Sequence, residues 1–223
     1  MIAADSITLR LGGRPILQAA YVDAVSGTIT ALVGRSGAGK TTLFNVLVGR
    51  RRPDVGQVRW NGERVPHPSL AQLARRGLFY HPDRPWLALQ LTPADHFALL
   101  GEARDWRPAA EMLGVSAWLD RRVGALSGGE LRLTEIAFGL ALSPAVALFD
   151  EPFRGLEPLH RAQVAAALRR LAERGAAVLY ADHDVEAVRR IADRLFSIEA
   201  GATRLVEGFR ERPLAEWYDE WPR

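Results

Sequence analysis

The sequence contains no cysteine and no long hydrophobic run. Disulfide bonds and thiolate metal sites are therefore excluded. The longest apolar runs, such as 136–142, fall well short of the roughly 18 residues that a membrane-spanning helix needs. The first ten residues have no basic segment followed by an apolar one, so we expect no secretory signal. Any role at a membrane is therefore expected to depend on a partner.

A strong excess of one charge sign is also missing. The 29 Lys and Arg residues nearly balance the 26 Asp and Glu residues, and the arginines are scattered along the chain. Scattered charges are typical of solvated helix faces, so we expect no nucleic-acid partner. With 48% hydrophobic residues and no repeat or low-complexity linker, residues 1–223 are expected to form one globular domain.

Strand patterns and helical patterns alternate along the chain. Strand patterns occur at 6–11, 28–33, 145–149 and 176–181, helical patterns occur at 41–48 and 159–171, and a hairpin pattern occurs at 54–62. From 85 to 142 the apolar residues recur at intervals of three or four, which favours helices. The alternation predicts an α/β protein with a mostly parallel sheet, interrupted by a helical insertion.

A glycine-rich loop lies between the strand at 28–33 and the helix at 41–48. It consists of Gly34, Arg35, Ser36, Gly37, Ala38, Gly39, Lys40 and Thr41, followed by Thr42. This is the pattern G-x-x-x-x-G-K-[ST], in which backbone N–H groups cradle phosphates. Lys40 is expected to reach the β- and γ-phosphates, and the Thr41 hydroxyl to ligate Mg²⁺. A plain glycine turn with a solvated lysine is the alternative, which the strand–loop–helix context disfavours.

Two carboxylates follow the apolar strand at 145–149. Buried carboxylates are costly unless they hold a cation, so Asp150 is a candidate Mg²⁺ ligand. Glu151 is the next residue, where it is expected to position or deprotonate an attacking water. Taken alone, the same residues are equally compatible with a surface turn after a core strand.

The segment from Leu126 to Glu130 reads Leu-Ser-Gly-Gly-Glu. Ser127 and Glu130 form a capping box that opens a helix, and Gly128 and Gly129 leave N–H groups uncovered at its positive end. Leu-Ser-Gly-Gly is the signature sequence of the ABC (ATP-binding cassette) ATPases, and with the loop upstream and the carboxylates downstream the chain resembles that family from about Ser6 to Gly208. All four residues from Ser127 to Glu130 are thereby implied to contact nucleotide.

The resemblance implies a fold and further site residues. It implies a P-loop NTPase core with an N-terminal antiparallel β subdomain (1–82 and 143–223) and an inserted α-helical subdomain (about 83–142). His183, after the strand at 176–181, resembles the switch histidine that contacts the γ-phosphate. Residues 155–158 resemble the dimer-contacting D-loop. The cofactors implied are ATP and Mg²⁺.

Three positions depart from the family pattern. Asp83 stands where the family usually has a glutamine that ligates Mg²⁺, so it keeps a metal-binding oxygen but adds a negative charge. Glu157 replaces the usual Asp of the D-loop. Leu11 replaces the aromatic residue that stacks on adenine, so it covers the base by apolar contact only. Lys40 and Glu151 are retained, so an active ATPase is expected.

The resemblance also implies partners. Two ABC ATPase subunits, in the simplest case a homodimer, associate head to tail and clasp ATP between the phosphate loop of one and Ser127–Gly129 of the other. A separate transmembrane permease, docked near Trp86, Leu87 and Leu89, would place the chain on the cytoplasmic face of the membrane; these three residues are equally compatible with a core position. The alternatives are a soluble ABC-type ATPase and a regulatory module with low turnover. The aromatic, acidic tail at 216–221 is expected to pack on the domain or on a partner.

Overall fold

Two β-sheets form the frame of the protein in the computed structural model, which describes residues 1–211 apart from the side chains of 185–187. The strands are β1 (Ile2–Leu11), β2 (Arg14–Ala24), β3 (Ile29–Val33), β4 (Val55–Trp60), β5 (Glu63–Val65), β6 (Leu78–His81), β7 (Val146–Asp150), β8 (Ala177–Asp182), β9 (Arg194–Glu199) and β10 (Ala202–Leu205). The tail at 216–221 lies outside the described residues, so its predicted packing stays a prediction.

Seven α-helices and two short 3-10 helices complete the described part of the chain. The α-helices are α1 (Lys40–Leu47), α2 (Leu70–Arg75), α3 (Pro93–Ala98), α4 (Arg107–Met112), α5 (Gly128–Ala141), α6 (Pro158–Glu173) and α7 (Val185–Ile191), and the 3-10 helices are Val115–Trp118 and Val123–Ala125. No helix among residues 1–211 is long and apolar enough to cross a membrane.

The smaller sheet is antiparallel, with strand order β2-β1-β4-β5. The predicted hairpin at 54–62 is confirmed, because β4 and β5 are joined by a two-residue turn. Asn61 and Gly62 occupy that turn with φ values of 50° and 85°. Positive φ at both positions matches the right-handed twist of a tight hairpin, which explains the Asn-Gly pair.

The larger sheet has the strand order β10-β9-β3-β8-β7-β6. All pairs from β9 to β6 are parallel, and only β10 runs antiparallel at the edge. Every residue of β3, β7 and β8 is buried, as expected for strands covered on both faces. The carboxyl ends of these strands meet at one edge, which carries the polar residues that follow them.

Two hydrophobic cores cover the opposite faces of this sheet. Leu43 and Phe44 of α1 pack on one face, together with Leu179 of β8. Leu133 and Ile136 of α5 pack on the other face, together with Tyr180. Burial of each such side chain contributes about 1.5–3 kcal/mol. In one chain, therefore, the helix after the phosphate loop and the helix after Ser127 lie on opposite sides of the sheet.

The helical insertion lies between β6 and β7 and contains α3, α4 and α5. Helix α5 approaches the sheet closely at Gly139, where an added Cβ would lie 2.2 Å from Cε1 of Phe79. The predicted fold class is thus confirmed. The first helix of the insertion begins at Pro93 rather than near 85, because residues 82–92 form a loop instead. Glu135 accepts a hydrogen bond from the Trp86 N–H (2.8 Å), and His96 accepts one from the Ala88 N–H (3.0 Å), which fix this loop.

Candidate active site

The glycine-rich loop connects β3 directly to α1. Gly37 and Gly39 have φ values of 82° and 112°, a region that side chains disfavour. Gly34 is required for a different reason, since an added Cβ would lie 2.5 Å from the main-chain oxygen of Ile198. Arg35, Ser36 and Gly37 are exposed at the outer turn, while Ala38 is half-buried. The loop therefore presents its backbone outward at the amino end of α1.

Lys40 lies inside the curl of this loop. It is 5% exposed, and its ammonium donates to the main-chain oxygens of Gly34 (2.6 Å) and Arg35 (3.1 Å). Burial lowers the pKa of Lys40, while the carboxylates of Glu151 and Asp150 oppose that shift. Thr41 is exposed and Thr42 half-buried in the first turn of α1, next to the loop. The loop thus combines backbone donors with a central positive charge, as phosphate binding requires.

Asp150, at the end of β7, is fully buried, and neither carboxylate oxygen makes a hydrogen bond within residues 1–211. Burial raises the pKa of Asp150 to about 6, and the nearby Thr41 hydroxyl only partly opposes this shift. The carboxylates of Asp83 and Glu151 raise the pKa further. A buried carboxylate without hydrogen bonds and with a hydroxyl beside it fits a hard cation such as Mg²⁺.

A self-contained metal site is absent from the described residues, because nowhere do three or more His, Asp or Glu side chains converge on one point. A magnesium ion bound by Asp150 would therefore need further oxygen ligands that are not His, Asp or Glu side chains. Phosphate oxygens and water are the usual source of such ligands for Mg²⁺.

Glu151 has an unusual backbone conformation. Its φ is 51°, which is uncommon for a residue with a side chain. Its N–H donates to the main-chain oxygen of Ala181 (2.9 Å), and its own oxygen accepts from Nη1 of Arg132 (2.5 Å). Residues held in such conformations cluster at functional sites, where the surrounding contacts fix them. The side chain of Glu151 is therefore presented at a defined position next to Asp150.

His183 follows β8 and faces the same edge of the sheet. Its side chain is 61% exposed, and Nδ1 lies 3.8 Å from Oε1 of Glu151. The buried Asp182 before it accepts main-chain N–H donors of His183 (2.7 Å) and Asp184 (3.0 Å), which fixes this turn. Lys40, Asp150, Glu151 and His183 thus surround one edge of the sheet, as the sequence predicts.

Ser127 is exposed at the amino end of α5. Its Oγ accepts from the Glu130 N–H (3.2 Å), and Glu130 Oε2 accepts from the Ser127 N–H (2.7 Å), so the predicted capping box is present. A Cβ added to Gly128 would meet no atom within 4 Å, and one added to Gly129 would only touch Leu156 (3.6 Å). The helix end is therefore open to an approaching anion.

The three departures from the family pattern occupy different surroundings. Leu11 ends β1 at the tip of the hairpin with β2 and is 37% exposed, so an apolar surface is available there. Glu157 precedes α6 and makes no capping hydrogen bond with its side chain. Asp83 lies in the loop after β6 and is bound by an arginine that belongs to none of the sequence motifs.

That arginine is Arg154, which lies three residues after Glu151. Its Nη1 donates to both carboxylate oxygens of Asp83 (2.8 and 3.0 Å) and lies 3.6 Å from Oε2 of Glu151. Arg132 of α5 approaches from the other side, with Nη2 donating to the main-chain oxygen of Asp83 (3.1 Å). Neither Arg132 nor Arg154 belongs to a recognisable motif, so neither is identifiable from the sequence.

A buried pair holds the base of the Asp83 loop. His81 Nε2 lies 3.2 Å from Oε2 of Glu135, and both side chains are almost fully buried. Burial lowers the pKa of His81, and the Glu135 carboxylate opposes that shift. Since Glu135 also accepts the Trp86 N–H, α5 fixes the loop on both sides of Asp83.

Comparison with known proteins identifies the family to which the chain belongs. Residues 17–154 match the family described as ABC transporter. The chain is 32% identical over 210 residues to the lipopolysaccharide export system ATP-binding protein LptB of Acidithiobacillus ferridurans, covering 90% of this chain and 87% of that protein. It is 34% identical over 211 residues to the aliphatic sulfonates import ATP-binding protein SsuB 3 of Paraburkholderia xenovorans, covering 94% and 80%.

A solved ATP-binding subunit of an ABC transporter has the same fold, with a TM-score of 0.85 over 99% of this chain and 98% of that one, at 24% identity. A bacterial Atm1-family ABC exporter with ATP bound superposes on the whole chain with a TM-score of 0.83, which covers 42% of the exporter chain. The chain therefore belongs to the ABC transporter family, and it is an ATP-binding subunit that hydrolyses ATP.

Proposed function

We propose that this chain is the peripheral ATP-hydrolysing subunit of a transporter and drives a separate transmembrane permease from the cytoplasmic face of the membrane. The observation that carries the proposal is the convergence of Lys40, Asp150, Glu151 and His183 at the carboxyl edge of one parallel sheet. Residues 1–223 act as one ATPase domain, in which 83–142 form the helical subdomain and the rest forms the core.

The loop from Gly34 to Thr42 holds the phosphates of ATP in this proposal. Lys40 turns its ammonium from the loop carbonyls to the β- and γ-phosphates. Thr41, Asp150 and Asp83 hold Mg²⁺, which neutralises charge on the phosphate oxygens when it is bound. Leu11 covers one face of the base by apolar contact, because it is exposed at the hairpin tip.

Hydrolysis then relies on two side chains at the sheet edge. Glu151 orients the attacking water and accepts its proton, since its backbone is fixed by Ala181 and Arg132. His183 donates a hydrogen bond to the γ-phosphate and senses its loss. Its side chain is 61% exposed, which leaves its ring able to reach a phosphate at this edge of the sheet.

A second copy of the chain completes the site. The phosphate loop and the Ser127 helix lie on opposite faces of one sheet, so one nucleotide is best shared between two subunits. In a head-to-tail homodimer, the exposed amino end of α5, formed by Ser127, Gly128, Gly129 and Glu130, faces the γ-phosphate bound by the partner. ATP then holds the dimer closed, and hydrolysis releases it.

The permease is proposed to dock on the helical insertion. Leu87 is buried and belongs to the core, whereas Leu89 is 57% exposed and Trp86 is 38% exposed. The ring of Trp86 packs on Phe79 and Phe138, which gives this surface a rigid base. The names of the relatives, an export system and an import ATP-binding protein, support a transport partner.

Nucleotide turnover by purified protein tests the catalytic part of the proposal. Lys40→Ala should abolish binding of a fluorescent ATP analogue. Glu151→Gln should keep that binding, slow hydrolysis by at least about a hundredfold and accumulate an ATP-bound dimer in light scattering. If Glu151→Gln hydrolyses ATP as fast as an active wild type, this glutamate is excluded as the catalytic carboxylate. If the wild type hydrolyses ATP as slowly as the variant, the regulatory alternative is favoured.

Co-purification from membranes of the native host tests the permease part. Leu89→Asp should reduce recovery of the membrane partner while ATP hydrolysis by the purified chain is unchanged. Leu205→Asp is the matched control, since Leu205 is 43% exposed on β10, away from the insertion. Equal recovery with both variants would place the docking surface elsewhere.

A further inference from the structure

Two arginines enclose the loop that carries Asp83. Arg132 binds the main-chain oxygens of Asp83 and Glu151 (3.1 and 2.5 Å), so it sets the backbone. Arg154 binds the Asp83 carboxylate itself through one nitrogen, at 2.8 and 3.0 Å. The same guanidinium lies 3.6 Å from the Glu151 carboxylate. Arg154 therefore lies between an acidic side chain at a metal-binding position and the proposed catalytic carboxylate.

An acidic residue at position 83 creates an electrostatic problem for nucleotide binding. The carboxylates of Asp83 and Glu151 approach the same nitrogen of Arg154, at 2.8 and 3.6 Å, and Asp150 is the residue before Glu151. The same region is proposed to accept the negatively charged phosphates of ATP. Like charges at such separations repel each other unless a cation intervenes. Arg154 supplies a positive charge to the Asp83 carboxylate by direct hydrogen bonds, whereas Nη2 of Arg132 lies farther from it, at 3.9 Å.

We propose that Arg154 is a positioning residue for the ATPase reaction, which neutralises Asp83 and holds it in place so that ATP binds beside an acidic side chain. The proposal rests on the nucleotide site described under Proposed function. Arg154 and Asp83 act as one unit in this account. Arg154 is then needed for ATP binding when residue 83 is acidic, and it is not needed when residue 83 is neutral.

A purely structural role is a poor explanation for this ion pair. Arg154 is 59% exposed and Asp83 is 30% exposed, and ion pairs that face solvent contribute little to folding. The turn that contains Arg154 is held by its own N–H, which donates to the Glu151 oxygen (3.2 Å) independently of the side chain. Removal of the guanidinium should therefore leave the fold intact and change the site.

A double-mutant cycle on nucleotide affinity tests the unit. Binding of the fluorescent analogue mant-ATP is measured first in EDTA and then with Mg²⁺, for the wild type, Arg154→Ala, Asp83→Gln and the double variant. In EDTA, Arg154→Ala should weaken binding about tenfold, because Asp83 then loses both hydrogen bonds to a cation and keeps only the 3.9 Å contact with Arg132. Asp83→Gln removes the negative charge beside Arg154 and should not weaken binding in EDTA, where no metal is bound, and the double variant should bind nearly as well as the wild type.

Matched substitutions separate charge position from total charge. Arg84→Ala removes an exposed arginine next to Asp83 for which the described structure shows no ion pair, and it should leave the affinity within about twofold. Arg154→Lys keeps the charge and should retain most of the affinity. Arg154→Gln provides a neutral replacement of similar length if the alanine variant folds poorly, and all variants should melt at the wild-type temperature.

Two results would overturn the proposal. One is that Arg154→Ala weakens binding by the same factor in the wild type and in the Asp83→Gln variant. The two side chains would then act independently. The other is wild-type affinity in both Arg154→Ala and Arg154→Gln. Failure of the wild type itself to bind mant-ATP would instead contradict the nucleotide site. The same cycle on the hydrolysis rate shows whether the coupling extends to turnover.

Discussion

Nη1 of Arg132, on the helix that begins after Ser127, donates a hydrogen bond of 2.5 Å to the main-chain oxygen of Glu151. The contact links the helix that is proposed to face the partner's nucleotide with the residue that is proposed to activate water. Glu151 has a φ of 51°, so its backbone requires support from its neighbours. A movement of α5 on ATP binding by the dimer would reach Glu151 directly through this bond.

Loss of the Arg132 side chain should slow hydrolysis more than it weakens binding. In Arg132→Ala we expect kcat to fall by at least about tenfold with little change in KM, because a misplaced base acts mainly on the chemical step. Steady-state ATPase assays below the melting temperature measure both constants. Arg170→Ala, which removes an exposed arginine of α6, is the control. A kcat within about twofold of the wild type would show that Glu151 needs no such support.

The capping box of α5 should make stability depend on acid pH. The Ser127 N–H is the main group that lowers the pKa of Glu130 below its ordinary 4.5. A lowered folded pKa means that the stabilisation is present above about pH 4.5 and is lost as the pH falls through the folded value.

Glu130→Gln should therefore cost less than about 1 kcal/mol at pH 7 and nearly nothing at pH 3, since glutamine still caps the helix. Urea unfolding at both pH values measures the difference, with the exposed Glu102→Gln as the control. An equal cost at both pH values would show that the Glu130 charge makes no contribution to the cap.

The buried Asp150 should destabilise the nucleotide-free protein. Its carboxylate is fully buried and makes no hydrogen bond within residues 1–211, so a neutral amide removes a solvation cost. We expect Asp150→Asn to gain on the order of 1–2 kcal/mol, which corresponds to a few degrees in Tm for a domain of this size. Thermal melts should also show a smaller gain on adding ATP and Mg²⁺. Asp120→Asn, at an exposed aspartate, is the control, and a lower Tm for Asp150→Asn would contradict the interpretation.

Close packing of α5 against β6 should make Gly139 intolerant of a methyl group. An added Cβ would lie 2.2 Å from Cε1 and 2.5 Å from Cζ of Phe79. Alanine favours helices by about 1 kcal/mol over glycine, but overpacking costs about 1–3 kcal/mol. Gly139→Ala should therefore lower the free energy of unfolding by up to about 2 kcal/mol, measured by chemical denaturation. Phe79→Leu in the same chain should recover part of the loss, and a stabilised Gly139→Ala would rule out the tight contact.

Local sequence signals predicted most elements of the proposed nucleotide site. The loop from Gly34 to Thr41 is contiguous, and its glycines, its lysine and the following helix act through their own backbone. The capping box of Ser127 and Glu130 is likewise local, because a side chain bonds an N–H three residues away. Apolar runs ending in carboxylates indicated the parallel strands and placed Asp150 and Glu151 at one edge of the sheet.

Only the tertiary structure decided how distant residues combine. Asp83, Arg132 and Arg154 come from a loop, the helical insertion and the segment after β7, and long-range packing brings them together around Glu151. A surface loop has no periodic pattern, so its side-chain partners leave no sequence signal. The chain thus specified its phosphate loop and helix caps locally, whereas the charge balance beside Glu151 is set by the packing of the insertion against the sheet.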